Sequence, residues 1–436
     1  MGFSRQGVEE LSAALGEPSW VLERRIEAWD YFEKLELPVP SEDESWRYTD
    51  LGRMKFNLDS FTPAPRDPSL TMTGAQIDFM RDEGARGGYV VQRDSDVVHR
   101  ELSPELAEKG VIFTDINTAI SKHESLIQPH LFAEVLPSEG ILAALHAAFF
   151  CGGTFLYVPR GVTVELPLEA QRWIDEGGAA IFPHTLIVVE EGAEVTYLER
   201  FESTPLDSPA LSSAAVEIVA APNSRVSFFG LQEYGDGVWH FQTHRAISQR
   251  NVQLRSLIVS LGGKLSRQVV ETLIRGDHSS SEMLGLYFAH QGQHFDFRTR
   301  QDHQAPDSFS DLLYKGALRD DSRAVYAGVI RVAPGAARTD AYQTNRNLVL
   351  SDHAKADSKP ELEIENNDVK CSHAASVGQI NEEEVFYFLS RGIPRPEAER
   401  LIVKGFFEEV ITRIRNVEIR EVLTEAIERK LSGAPS

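Results

Sequence analysis

The fold of this chain is decided by three versions of one short unit: Thr154-Phe-Leu-Tyr-Val-Pro-Arg-Gly161, Thr185-Leu-Ile-Val-Val-Glu-Glu-Gly192 and Val216-Glu-Ile-Val-Ala-Ala-Pro-Asn223. The units recur every 31 residues. Each is an apolar run that ends in Gly or Asn, residue types that suit a turn with positive φ. A second strand is predicted after each turn, as in Val162–Leu166 and Val195–Leu198.

A fixed period of this length, built from strands, predicts a stacked β architecture such as a β-helix or another solenoid. A plain β-sandwich with evenly spaced hairpins is the alternative that the repeat alone leaves open. Strand-like texture continues towards the C-terminus, through residues 252–257, 269–273, 285–289, 325–332 and 348–350.

Before the repeats, apolar residues are spaced as in helices at first, and they show no clear period later. The first 35 residues predict two short helices, with a break near Gly16 and Pro18. Residues 41–61 suit a linker that packs down, and residues 65–130 receive no assignment. We therefore expect a helical and mixed region over residues 1–130 and a β-helix core over residues 131–378.

Residues 379–436 form a third, helical region. Asn381 followed by Glu384 fits an N-cap with its reciprocal acid and predicts a helix that ends near Leu389. A second helix is predicted from about Pro396 to Ile414, with this buried face: Leu401, Ile402, Phe406, Val410 and Ile414. A third helix is predicted from a last apolar stripe: Ile419, Val422, Leu423, Ala426 and Ile427.

Composition narrows the class of protein. The 436 residues include 44 basic and 66 acidic side chains, so a formal charge of −22 argues against nucleic-acid binding as the main activity. Two cysteines do not make a disulfide framework, which indicates a reducing compartment. The start lacks an apolar signal core, and no stretch approaches the roughly 18 apolar residues of a spanning helix. We expect a cytoplasmic protein without membrane insertion.

One of the two cysteines, Cys371, precedes His373 by two residues. On an extended strand this spacing puts both side chains on one face. A thiolate and an imidazole that converge in this way suit a soft metal or an iron–sulfur species. The simpler interpretation, which spacing alone favours, is a half-buried cysteine beside a surface histidine.

The sequence around this pair resembles the SufB/SufD family of iron–sulfur cluster assembly proteins, over roughly residues 130 to 430. SufB-type chains place a cysteine after the aspartate where this chain has Asp352-His353-Ala354, so the resemblance is to the SufD type. The resemblance rests on these blocks: Tyr314–Gly316, Val332–Gly335, Asn345–Ala354, Lys359–Ile364, Asp368–Gly378, Glu383–Tyr387 and Ser390–Pro394.

The resemblance implies a parallel β-helix core and a non-catalytic subunit of a SufBCD scaffold. It implies pairing with a SufB-like paralogue near residues 345–378. It also implies that a SufC-like ABC ATPase docks on the C-terminal helices. Of Phe406 and Phe407, one is expected to contact the core and the other the ATPase. At the SufB interface, His373 is the implied ligand of a transient, shared iron–sulfur cluster, and Cys371 is the second candidate. Neither the use of a flavin nor a homodimer of the isolated chain can be read from the residues.

The sequence contains few catalytic patterns. There is no Gly-x-x-x-x-Gly-Lys-Ser/Thr loop, so a partner would hold any ATP. His290 and His294 would share a strand face and suit a metal, although polar outer-face residues are the simpler interpretation. The alternative function is a carbohydrate-active β-helix lyase or hydrolase, which would use clustered carboxylates: Asp302, Asp307 and Asp311.

Overall fold

The computed structural model describes residues 2–74, 76, 77, 80 and 85–432 of the chain. Residues 75, 78, 79 and 81–84 of the unassigned 65–130 segment lie outside the described residues. Helices occur at both ends of the chain: α1 (Arg5–Leu15), α2 (Ser19–Phe32), α3 (Pro104–Glu108), α4 (Ile116–Lys122), α5 (Glu124–Ile127), α6 (Ile141–Phe149), α7 (Glu382–Ser390), α8 (Arg395–Ile411) and α9 (Val417–Ser432).

Strands fill the middle of the chain. In chain order they are β1 (Thr62–Pro63), β2 (Gly88–Arg93), β3 (Asp96–Leu102), β4 (Ile112–Thr114), β5 (Gly153–Val158), β6 (Leu168–Ile174), β7 (Ala179–Ile181), β8 (His184–Val189), β9 (Glu194–Ser203), β10 (Ala210–Ala220), β11 (Arg225–Gln232), β12 (Val238–Ser248), β13 (Gln253–Ser260), β14 (Leu265–Ile274), β15 (Ser280–Ala289), β16 (His294–His303), β17 (Phe309–Leu318), β18 (Arg323–Val332), β19 (Thr339–Val349), β20 (Lys355–Ile364) and β21 (Val369–Gln379).

The chain winds between two sheets. From β8 onward the even-numbered strands join one sheet, called sheet A, and the odd-numbered strands join the other, called sheet B. Neighbours within each of these runs are parallel, so every turn of the chain adds one strand to each sheet. The mainly β, parallel β-helix architecture predicted from the repeat and the resemblance is confirmed, with helices on either side.

The 31-residue repeat is the hydrogen-bond register of sheet A. Thr154 of β5 pairs with Thr185 of β8, and Thr185 pairs with Val216 of β10. The turns predicted at the end of each unit have positive φ, 70° at both Gly161 and Gly192 and 64° at Asn223. Equivalent residues stack in these first coils because each uses the same length of chain to return to sheet A. Later coils differ in length, as the pairs Trp239 with Leu265 and Arg323 with Lys355 show.

The prediction is wrong for one strand of the repeat. Residues 162–166 were expected to form the second strand of the first unit, but only Thr163 makes an isolated parallel bridge, to Glu194. The strand begins later, at Leu168, where β6 pairs with Tyr197 of β9. Pro167 directly before this strand restricts the chain there, because proline lacks an N–H for the ladder and restricts the residue before it.

The N-terminal end of the solenoid is closed. β2 continues sheet B beside β6, and β3 then runs antiparallel to β2. In sheet A, β4 runs antiparallel to β5. Strands from the unassigned 65–130 segment thus cover the first coil, and α1, α2 and α6 pack an aromatic cluster against its flank, including Trp29 and Phe149.

The C-terminal helices pack on the outer face of sheet B, where Val403 and Phe407 of α8 belong to one buried apolar cluster with Leu257 and Leu286. The predicted helices are present, but the predicted buried face of α8 is partly wrong. The half-buried members of that face are Leu401, Ile402 and Phe406, whereas Val410 and Ile414 are buried as predicted. The helix has 3.6 residues per turn, so residues spaced four apart are rotated by about 40° at each step. The predicted residues, most of them four apart, therefore do not all lie on the buried face.

Candidate functional site

Within the described part of the chain, the C-terminal end of the solenoid is open. β20 is the last strand of sheet A and pairs only with β18, and β21 is the last strand of sheet B and pairs with β19. The outer backbone groups of both strands are therefore free to pair with another chain. At the N-terminal end, the outermost strands β3 and β4 are instead antiparallel to their neighbours.

The structure places Cys371 and His373 on β21, at this open end. Cys371 lies beside Ala341 of β19, and His373 lies beside Gln343. Cys371 is half-buried and packs against an apolar cluster inside the last coils that includes Ala341 and Ile330. His373 is exposed. Both side chains share the inward face of β21, because residues two apart on a strand point the same way.

The two cysteines have different surroundings. Burial, with a contribution from the Asp340 carboxylate, raises the pKa of the Cys371 thiol above its usual value. Cys151 is fully buried far from the open end, where its Sγ donates to the Ser95 carbonyl oxygen at 3.3 Å, and burial raises its pKa to about 11. A thiolate binds metal, so Cys371 would release a proton on binding and Cys151 is unsuited to the task.

Among the residues that the structure describes, no group of three or more His, Cys, Asp and Glu side chains is arranged to hold a metal ion. Cys371 and His373 offer two ligands, whereas an iron–sulfur cluster usually takes four. Within the described residues, the pair is thus incomplete as a cluster site, and it lies on an edge strand of the solenoid.

Apolar side chains surround the pair. Ile364 at the end of β20 is 41% exposed and Val377 on β21 is 50% exposed, and Leu362 is also exposed. Sequence reasoning missed these residues as surface features, because apolar residues in a strand pattern predict a core. Their exposure follows from the absence of a further coil above β20 and β21 among the described residues.

A second apolar surface lies on the C-terminal helices. Asn381 begins α7 by accepting the Glu383 N–H at 2.9 Å, one residue before the predicted Glu384. Phe386 is 70% exposed on α7, and a groove of about 790 Å³ runs between α7, α8 and β19. Phe406 is half-buried in the wall of this groove, whereas Phe407 is fully buried in the core.

The predicted histidine face in the middle of the chain does not exist. His290 lies in the turn after β15 and His294 begins β16, with positive φ at Gln291 and Gly292 between them. His294 is buried, and its Nε2 lies 3.0 Å from Thr49 Oγ1. His294 lies on the outer face of sheet A, as the simpler expectation has it, but it is buried there because the segment before the solenoid folds over it.

The carboxylates of the alternative hydrolase function lie against arginines. Asp302 lies 3.1 Å from Arg331, Asp307 lies 2.6 Å from Arg338, and Asp311 lies 2.6 Å from Arg413. The bond to Arg338 holds the pKa of Asp307 below its usual value. A general acid needs a raised pKa. Each of these three carboxylates is therefore held by an arginine and is not left free as a general acid.

Comparisons with known proteins agree with this geometry. A family model described as "SUF system FeS cluster assembly, SufBD core domain" matches residues 172–406. The chain is 31% identical to the iron–sulfur cluster assembly protein SufD of Bacillus subtilis (strain 168), over 99% of this chain and 98% of that protein. It is 28% identical to SufB of the same strain, over 93% and 88%.

A SufBD family protein of Staphylococcus haemolyticus (strain JCSC1435) is 30% identical over 93% of this chain. Fold and site define a parallel β-solenoid protein with one open end, which carries Cys371 and His373. The chain belongs to the SufBD family of iron–sulfur cluster assembly proteins, and of the two Bacillus relatives it is more like SufD. Separately, none of the described helices has the length and apolar character needed to cross a membrane.

Proposed function

We propose that this chain is a SufD-like, non-catalytic subunit of an iron–sulfur cluster assembly scaffold in the cytoplasm. The observation that carries the proposal is the open end of the solenoid, where two edge strands bear exposed apolar side chains and the pair Cys371 and His373. A related solenoid with a similar end, such as a SufB-like paralogue, would continue both sheets and cover Ile364 and Val377.

The nascent cluster is the cargo of this interface. Imidazole and thiolate are ligands that iron accepts, and the His373 ring is exposed at the junction. His373 supplies one ligand and Cys371 is the second candidate, while the SufB-like partner supplies the others. Because the site is shared, the cluster is bound transiently and leaves when the two chains move apart.

The C-terminal helices dock the SufC-like ABC ATPase. The exposed Phe386 and Tyr387 of α7, with the groove beside Phe406, form an apolar surface that the core does not use. The chain lacks a phosphate-binding loop, so the ATP belongs to the partner. Association of two ATPase subunits, one bound to each solenoid, would strain the interface and expose the cluster-building groups.

A second copy of this chain competes for the same edges when the SufB-like partner is absent. Parallel edge strands with exposed apolar residues pair with any chain that presents a similar edge. We therefore expect a homodimer of the isolated chain, which the SufB-like partner displaces. Sedimentation of the isolated chain and of the mixture measures both states, and a strictly monomeric chain that ignores the partner contradicts the proposed interface.

The decisive experiment compares wild type and His373→Ala after anaerobic reconstitution with the SufB-like and SufC-like partners. Loss of cluster absorbance with unchanged subunit stoichiometry supports His373 as a ligand. The matched control is His278→Asn, an exposed histidine on a turn in the middle of the solenoid whose positive φ of 59° suits asparagine. Equal cluster content in His373→Ala and wild type overturns the assignment.

A further inference from the structure

A buried glutamine lies directly beneath the exposed histidine. Gln343 of β19 is the register neighbour of His373 on β21, so the two side chains leave adjacent strands on the same inward face. Gln343 is 1% exposed. In the described part of the chain, neither its amide nitrogen nor its amide oxygen has a hydrogen-bond partner.

Space for this amide is provided by a glycine on the opposite sheet. A Cβ at Gly328 of β18 would collide with the Gln343 amide nitrogen and with the hydroxyls of Tyr326 and Thr299. Those two hydroxyls satisfy each other at 2.8 Å. The Gln343 side chain thus crosses the coil interior, and its amide lies beside two hydroxyls that already hydrogen-bond to each other.

Neighbouring polar residues on the same face of β19 are paired. Asn347 Nδ2 donates to Asn345 Oδ1 at 2.8 Å, and Ser358 Oγ donates to the same oxygen at 2.7 Å. Asn345 Nδ2 also donates to Tyr287 OH at 3.2 Å. The interior of the last coils can therefore satisfy amides, whereas Gln343 has neither of its two amide atoms paired with a described residue. A buried amide without partners costs stability, and such groups persist where function requires them.

We propose that the Gln343 amide is a positioning group for the cargo at His373: when the cargo binds, the side chain turns away from Gly328 towards the open end, and Nε2 donates to an anionic sulfur of the nascent cluster. Amides are donors of this kind, and hydrogen bonds to cluster sulfurs adjust how tightly a cluster is held and its potential. The inference rests on the proposed function, since it requires a sulfur-rich species at the open end. Gln343 is not a metal ligand and acts through the bound species.

The test is Gln343→Leu, which removes both amide atoms and keeps most of the volume. In the reconstituted complex with its partners, we expect about tenfold faster loss of cluster iron to a chelator than in wild type. In the isolated chain, we expect the urea midpoint to be unchanged or higher, because an unpaired polar group has been replaced by an apolar one. Gln343→Met repeats both measurements with an unbranched side chain.

Gln301→Leu is the matched control. Gln301 is also buried on the inward face, but its Nε2 donates to Ser310 Oγ at 2.6 Å and to the Tyr342 carbonyl oxygen at 3.1 Å. Its loss should lower the urea midpoint and leave iron retention near the wild-type value. The two glutamines are thus expected to give opposite patterns.

The outcomes separate this inference from the proposed function. If wild type retains iron in a His373-dependent way and Gln343→Leu retains it equally well, the positioning role of Gln343 is wrong and the proposed function stands. A lowered midpoint in Gln343→Leu, with normal iron retention, identifies a purely structural amide. If His373→Ala and wild type behave alike, the proposed function fails and the role of Gln343 fails with it.

Discussion

Lys315 of β17 donates from Nζ to the backbone carbonyl oxygen of Phe406 on α8, at 2.9 Å. The same ammonium lies 4.6 Å from the centre of the Phe406 ring and 2.5 Å from Glu409 Oε2. Lys315 is buried. One cation therefore joins the outer face of sheet B to the helix that carries the proposed ATPase surface.

Lys315→Met should loosen this attachment. The substitution keeps most of the apolar stem but leaves the Phe406 carbonyl and Glu409 without their donor, so we expect a loss of about 1–3 kcal/mol in the free energy of unfolding. Hydrogen exchange in α8 should rise. Lys404→Met is the control, because its partner Glu428 joins it in an exposed pair, for which we expect less than about 1 kcal/mol.

The adjacent phenylalanines of α8 should separate stability from binding. Phe407 is fully buried between α8 and sheet B, so Phe407→Ala should cost about 3–5 kcal/mol of unfolding free energy. Phe406→Ala should cost less, because Phe406 is half-buried, but should weaken capture of the SufC-like ATPase in a pull-down. Wild-type capture by Phe406→Ala contradicts the docking proposal.

A charged residue at the open end should leave the stability of the isolated chain unchanged but weaken its binding to the SufB-like partner. Ile364→Asp and Val377→Asp change exposed side chains, so the free energy of unfolding, measured in urea, should stay within about 0.5 kcal/mol of wild type. Affinity for the SufB-like partner should fall at least tenfold, since each variant buries an unpaired charge. Val417→Asp, at an equally exposed position on α9, should leave partner affinity unchanged.

Asp94 should make the protein less stable as the pH rises from about 4 to 6. Burial, with the nearby carboxylates of Asp175 and Glu176, raises the pKa of Asp94 to about 6. The folded protein then binds more protons than the unfolded chain in this window, so stability falls as Asp94 ionises. Asp94→Asn should remove this pH dependence and add about 1–3 kcal/mol at pH 7.

Asparagine suits this position for two further reasons. Asp94 has a φ of 49°, which asparagine adopts readily, and its Oδ1 accepts the Asp175 N–H at 3.0 Å, which an amide oxygen can also do. Urea unfolding at pH 4.5 and pH 7 measures the effect. An unchanged pH profile in Asp94→Asn would show that this carboxyl is not the source.

Buried histidines should act in the opposite direction. Folded pKa values below the ordinary 6.5 mean that the unfolded chain binds more protons between about pH 6.5 and 4, so stability falls as the pH falls. Burial lowers the pKa to about 3 or 4 in this set: His146, His240, His244, His294 and His303. We expect steep acid destabilisation below pH 6.

His244→Leu isolates one member of this set. The His244 ring packs 4.5 Å from the Phe228 ring, and its Nδ1 is unpaired among the described residues, so leucine keeps the apolar contact without stranding a partner. The slope of unfolding free energy against pH should decrease by about 1.4 kcal/mol per pH unit between pH 6 and 5. An unchanged slope would mean that His244 does not take up a proton on unfolding.

Much of the architecture could be predicted from local sequence patterns. The 31-residue spacing of Thr154 and Thr185 is visible without coordinates, because the first coils use the same length of chain to bring each strand into register. Gly161 and Asn223 mark turns for an equally local reason, since positive φ favours these residue types. The placing of Cys371 and His373 on one strand face follows from the two-residue period of a strand.

Only the tertiary structure decided what lies above and below those strands. A strand pattern is the same for a covered coil and for the last coil, so the sequence did not indicate that Ile364 and Val377 are exposed. The burial of His294 depends on Thr49, which is 245 residues away in the chain. The unpaired amide of Gln343 depends on Gly328 in the facing sheet. Periodicity is set by the backbone within one segment, whereas exposure and pairing are set by contacts between segments that the local pattern does not encode.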